Sequence, residues 1–170
     1  MNLAVFDLAG RGDTNGSLGC DVVADHRVIE LTAAQTHRLR LDVLRRGTPS
    51  RDVAFAEDEL PSTLHLGVEI GGVVVGVSTW IDNAHPDLPA GRGVQLRGMA
   101  TAPDLQGHGI GGLILETGVA RMFASEHDMV WARARDTALD FYERHGFVRR
   151  GVGYVDLSTG IPHHDIVRTR

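Results

Sequence analysis

Lysine is absent from the 170 residues, so all 17 basic side chains are arginine. That removes Schiff-base chemistry and self-acylation at a lysine, because both need an amine that a guanidinium does not offer. Cysteine is nearly absent. With Cys20 alone, no intrachain disulfide or C-x-x-C metal site can form, and the expected setting is reducing and cytoplasmic. No window approaches the roughly 20 apolar residues of a spanning helix, and no basic stretch followed by an apolar one opens the chain as in a secretory leader. Clustered positive charge is missing too. The net charge of −5 argues against nucleic acid or an anionic membrane as partner and is compatible with an amine substrate. No internal repeat or low-complexity run occurs.

What is present suits one domain with a sizeable core, since 42% of the residues are hydrophobic and 23% charged. Its organising stretch is Ala102-Pro103-Asp104-Leu105-Gln106-Gly107-His108-Gly109-Ile110-Gly111-Gly112. Ahead of it, Val94 to Thr101 alternates as a strand, which Pro103 closes by withdrawing a ladder donor. Behind it, Leu113, Ile114, Val119, Met122 and Phe123 return at helical spacing, and the helix is expected to end between Ser125 and Asp128. The first N–H groups of a helix have no intrahelical acceptor and sit at the positive end of its dipole, so they attract anions. Glycines at 109 and 111 keep side chains out of the way and tolerate positive φ. The expected ligand is a phosphate or pyrophosphate.

Three motifs compete for this stretch. Gly107-x-Gly109-x-x-Gly112 fits the dinucleotide fingerprint letter for letter, but Leu113 to Arg170 is too short for the strands and helices that normally follow, leaving a NAD-binding protein a distant reading. A P-loop would need G-K-[ST], where this chain has Gly111-Gly112-Leu113. Gln106-x-x-Gly109-x-Gly111, between a strand and a helix, resembles the Q/R-x-x-G-x-G/A pyrophosphate loop of the GNAT superfamily of acyl-CoA N-acyltransferases. Downstream, Ala138-Leu139-Asp140-Phe141-Tyr142-Glu143-Arg144-His145-Gly146-Phe147 resembles that family's A-x-x-F-Y-x-x-x-G-F segment. The similarity runs from about Val28 to the C-terminus and is sharp from Val94 to Phe147.

The resemblance implies acetyl-coenzyme A as acyl-donor co-substrate, no metal, and a primary amine of a small molecule or peptide as acceptor. It implies cofactor contacts at Met99, Ala100 and Thr101, where the strand splays from its neighbour, and at Gln106, Gly107, His108, Gly109, Ile110, Gly111 and Gly112. Gln106 stands where many members have arginine. It donates to phosphate without the charge assistance that roughly doubles such a bond. His108 adds charge only when protonated. Arg135 stands where many members carry a cofactor-contacting asparagine, and either reaches a phosphate or forms a structural ion pair. Tyr142 matches the tyrosine that protonates the departing thiolate, a role suited to a phenol. For the acceptor side and the general base the candidates are Glu69, Asp82 and His163, with His164 beside it. Gly160-Ile161-Pro162-His163 resembles a G-x-P-H element of part of the family. Neighbouring strand residues point to opposite faces, so His163-His164-Asp165 is not expected to hold a metal. Arg97, inside a strand, is read first as structural and paired. A coenzyme-A-binding regulatory or structural protein that keeps the fold without efficient catalysis is the alternative function.

In chain order, residues 1–25 read as an N-terminal extension, a mobile arm, with an edge strand or homodimer contact as the alternative. Residues 26–170 form the GNAT-like domain. Val28 to Leu31 is a strand, and Thr32 caps a helix that ends at Arg45-Arg46-Gly47. Pro49 to Pro61 suits a short second helix, with Glu57-Asp58-Glu59 as a solvated face. Leu64 to Ile70 and Val73 to Ile81 flank the Gly71-Gly72 hairpin turn. Asp82 to Gly93 is a loop. Arg51 to Pro61 and Trp80 to Asn83 wall the acceptor site. Met129 to Ala134 is a strand, Thr137 to His145 a helix, and Val148 to Leu157 and His164 to Thr169 close the order. The class is therefore α/β, a GNAT-like mixed, mostly antiparallel central sheet with helices on both faces.

Overall fold

A seven-stranded sheet in the order β1-β2-β3-β4-β5-β7-β6 carries the computed structural model, which describes residues 26–88 and 91–170. The N-terminal extension expected at residues 1–25 lies outside the described residues. The strands are β1 (Arg27–Glu30), β2 (Leu64–Ile70), β3 (Val73–Asp82), β4 (Gly93–Thr101), β5 (Met129–Arg135), β6 (Val148–Asp156) and β7 (Ile161–Thr169). Every neighbouring pair is antiparallel except β4 with β5. This is the expected mixed sheet.

Helix α1 (Ala33–Leu39) starts at Thr32, whose backbone N–H donates to Gln35 Oε1 at 2.8 Å in a capping box. It continues as a π-helical turn, Arg40–Leu44, and packs Leu39, Val43 and Leu44 on one sheet face with Leu31, Val77 and Ala100. Helix α2 (Ile110–Ala124) covers the other face, where Ile114, Leu115 and Val119 meet Leu66, Val68, Trp80, Val94 and Val130 in the main core. Helix α3 (Leu139–Arg144) joins that core through Leu139 and Tyr142. At the hairpin, Gly71 and Gly72 both have positive φ (55° and 80°), as a type I′ turn demands. No helix among the described residues is long and apolar enough to cross a membrane.

Three expectations need correction. Pro49 to Pro61 forms hydrogen-bonded turns, not a helix, because Asp58 turns inward to a buried arginine and ties the segment to the core. The acidic cluster is consequently not a solvated face: Asp58 is buried and Glu57 pairs with Arg97. Trp80 walls no acceptor site. It lies under α2, where its indole occupies the space of a side chain at Gly118.

One irregularity positions everything that follows. Val77 pairs with Ala100 and Thr79 with Arg97, so Ser78 alone faces both Gly98 and Met99, a β-bulge with Gly98 at φ 58°. Pairing of β4 with β5 runs only from Gly93↔Met129 to Leu96↔Ala132. Beyond Leu96 the two parallel strands part.

Candidate active site

The parting opens a cleft of about 280 Å³ between β4 and β5. Met99 and Tyr142 border it on one side, Phe55 and Arg97 on another, and Ser158 and Thr159 of the β6–β7 turn close it with His163 of β7. The glycine loop is not part of its wall. It meets the cleft at Met99, whose Cε lies 3.6 Å from where a Cβ on Gly111 would be.

In the loop itself, Pro103–Leu105 is a 3₁₀ turn and Gly109 is the N-cap of α2 at φ 83°. Leu113 N–H closes the first helical bond on the Gly109 carbonyl at 2.9 Å, so the amides before it have no intrahelical acceptor. A side chain at Gly107 or Gly109 would meet no atom within 4 Å, though both have positive φ. Gly111 and Gly112 also serve packing. Their missing side chains admit Phe141 at 3.5 Å and His145 at 3.1 Å, which lets α3 approach α2. Gln106 folds back, its Nε2 donating to the Thr101 carbonyl at 3.2 Å, and exposed His108 donates from Nδ1 to the Gln106 carbonyl at 3.0 Å. Ala100 turns its side chain into the α1-side core, away from the cleft.

Tyr142 is 8% exposed, held edge-on by Phe141 and Phe147 at centroid distances of 5.1 and 5.5 Å. Its hydroxyl has a thioether for partner, Met99 Sδ at 3.6 Å. Burial pushes the phenol up to about 12, so it remains protonated.

The remaining predicted residues divide. His163 lines the cleft and stacks on Tyr154, and its Nδ1 lies 2.8 Å from the Ile161 carbonyl. A carbonyl only accepts, so Nδ1 carries a proton, and Nε2 is the ring nitrogen left for the cleft. His164 points to the other face and bonds Asp136 at 2.7 Å. Arg135 lines the cleft and donates to the Leu44 carbonyl at the end of the π-turn, with no carboxylate within ion-pair distance among the described residues. Burial, and secondarily the charge of Arg45, lower its pKa. Arg97 is paired as expected, with Glu57 at 3.1 Å, yet it also faces the cleft. Glu69 and Asp82 are not brought to it. Glu69 is held by Arg27 at 2.7 Å across β1 and β2, and Asp82 lies 3.7 Å from His127 at the end of β3.

Four cleft features escaped sequence reasoning. Gly98 carried a readable signal, since an isolated glycine in a strand pattern suggests a bulge. Arg40, set between Leu39 and Leu41, is 1% exposed and grips both Asp58 oxygens, at 2.6 and 3.0 Å. Phe55, whose amide donates to Asp58, lies between the guanidiniums of Arg40 and Arg97, 4.1 and 4.0 Å from its ring centroid. Neither Phe55 nor Arg133 had a sequence signal, since both depend on contacts between distant segments.

The family described as Acetyltransferase (GNAT) family matches residues 30–147 of the chain. An uncharacterized N-acetyltransferase, YitI, of Bacillus subtilis (strain 168) is 23% identical over 137 residues, covering 81% of this chain and 91% of that protein. Among solved structures, an acyl-CoA N-acyltransferase from Pseudomonas aeruginosa superposes with TM-score 0.70 at 20% identity, over 85% of this chain and 100% of its own. An aminoglycoside 6'-N-acetyltransferase complexed with coenzyme A gives TM-score 0.66 at 13% identity, over 84% of this chain and 96% of its own.

Proposed function

The chain belongs to the acetyltransferase (GNAT) family, and from that premise we propose that it moves acetyl from acetyl-coenzyme A to a primary amine of a small molecule or peptide, by direct attack in a ternary complex. The observation that carries this reading is the Tyr142 hydroxyl, buried at the parting of β4 and β5 and partnered by a thioether sulfur. A thioester sulfur would replace one soft acceptor by another. The amides that open α2 suit the pyrophosphate, and Met99 to Thr101, without β5 beside them, offer backbone groups to the pantetheine arm.

In the reaction the amine nitrogen bonds to the acyl carbon and the carbon–sulfur bond breaks. His163 Nε2 takes the proton that the amine sheds, and Tyr142 O–H faces the sulfur as it gains charge. Full transfer from a phenol near 12 to a thiolate whose acid has a pKa of about 8.5 is uphill by roughly 5 kcal/mol. Tyr142 therefore stabilises the developing thiolate as a hydrogen-bond donor and keeps its own proton, while the departing thiolate is protonated through solvent, to which His163 returns the proton taken from the amine.

We also propose that the chain forms a homodimer through β6. That edge strand is exposed almost throughout, with Val152 at 87%, and Leu157 just after it at 98%.

The test of the transfer reading is thiol release from acetyl-coenzyme A over an amine panel. Release that depends on an acceptor is expected. Tight coenzyme A binding without such release would select the binding protein.

A further inference from the structure

The cleft is more positive than an acidic chain leads one to expect, and one of its arginines has been left without the partner that the sheet provides. In the β5–β7 register Arg133 stands directly opposite Asp165. Cross-strand opposites are the usual ion pair of a sheet. Asp165, however, accepts from Tyr154 O–H at 2.8 Å with one oxygen and meets His85 Nε2 at 3.2 Å with the other. Among the described residues Arg133 has no carboxylate within ion-pair distance, and it is exposed. Its guanidinium is 5.9 Å from the Trp131 ring, at the wall shared by the cleft and an adjoining recess.

Of the neighbouring charges, only those beside Arg133 are paired. Arg40 is neutralised by Asp58 and Arg97 by Glu57, while Arg45 and Arg135 lie at the other end, against Asp52 and Leu44 carbonyls. Arg133 and Arg135 are two residues apart on one strand face, about 6–7 Å. Asp156, the acid that lines the cleft, takes the Ser158 and Thr159 hydroxyls on one oxygen, at the β6–β7 turn. One uncompensated guanidinium at the acceptor end matches a monoanion that presents two oxygens.

We propose that the acceptor is an amine that carries a carboxylate, an amino acid or close analogue, and that Arg133 anchors the carboxylate. The proposal rests on the acyl-transfer reading above, and the experiment separates the two. Thiol release is measured for common amino acids, each set against its carboxamide and its decarboxylated amine, with the wild type and Arg133→Gln. The N-acetylated forms of the same compounds are titrated by calorimetry, which needs no turnover.

Free acids are expected to exceed their carboxamides in kcat/KM by about tenfold to a hundredfold, mainly through KM, as a charged hydrogen bond gives. The N-acetylated acids should bind with the same preference. Arg133→Gln should erase it while coenzyme A affinity stays within about twofold, and Arg133→Glu should favour the decarboxylated amines. Carboxamides equal to acids, or a preference that survives in Arg133→Gln, would overturn the proposal. Carboxylate-selective binding without any thiol release would remove the transfer reading alone, and release without carboxylate selectivity would remove only the anchor.

Discussion

Two buried residues give the cleft its pH limits, and their signs are opposite. The Tyr142 phenol is held near 12 in the folded protein against 10.0 when unfolded, so the native state keeps its proton longer. The stability this gives, about 3 kcal/mol, is whole below pH 10 and is lost as the pH rises through 12. Denaturant unfolding across that range should show the fall, and Tyr142→Phe should flatten it. For Asp58, burial alone would raise the pKa, but the Arg40 hydrogen bond, the Phe55 amide and the Arg40 charge outweigh it and bring it below 3.8. Its contribution is complete above pH 3.8 and disappears as the pH falls through the lower native value. Asp58→Ala leaves Arg40 charged, buried and unpaired, and should cost about 3–5 kcal/mol at neutral pH. It should also release Phe55 from the cleft wall, read as a higher acceptor KM.

At the scale of elements, α2 serves packing and ligand binding with different glycines, which can be tested apart. A Cβ on Gly118 would come within 1.9 Å of the Trp80 ring. Gly118→Ala gains about 1 kcal/mol of helix propensity, but the overpacking costs about 1–3 kcal/mol, and a backbone-close clash should put the net on the destabilising side. Thermal unfolding decides it. Gly109→Glu adds its side chain in open space, at the price of a positive φ worth about 1–2 kcal/mol. Its fold should persist by circular dichroism while acetyl-coenzyme A affinity falls at least about tenfold from the charge and bulk at the phosphate site. Unchanged affinity would contradict the pyrophosphate assignment. The strands around this helix were legible because the valine- and isoleucine-bearing runs Leu64 to Ile70 and Val73 to Ile81, with Gly71-Gly72 between them, are local signals. The turns of Pro49 to Pro61 were not, because only Arg40, buried from another element, tells Asp58 where to go.

Over the whole molecule, order and class were readable because alternating and helical periods follow one another along the chain, and the glycine loop and the F-Y segment fixed the family likeness. The cleft was readable only in part. Tyr142 and His163 came with motifs, whereas Arg40, Phe55 and Arg133 reach the cleft by contacts from distant segments, and Glu69 and Asp82 were drawn away by Arg27 and His127. The β6 edge belongs to this scale. A dimer is expected by sedimentation velocity, and Val152→Glu should give a monomer with the fold intact, because that side chain is 87% exposed. Wild-type protein that stays monomeric at high concentration would remove the dimer.

The central claim, that the cleft transfers an acyl group with Tyr142 at the departing sulfur, is tested most directly by single-turnover thiol release with Tyr142→Phe. That substitution keeps the ring between Phe141 and Phe147 and removes only the hydroxyl facing Met99. The chemical step should slow by roughly ten- to a thousandfold with acetyl-coenzyme A affinity nearly unchanged. A chemical step as fast as the wild type's, at every pH where the protein is folded, would contradict the claim.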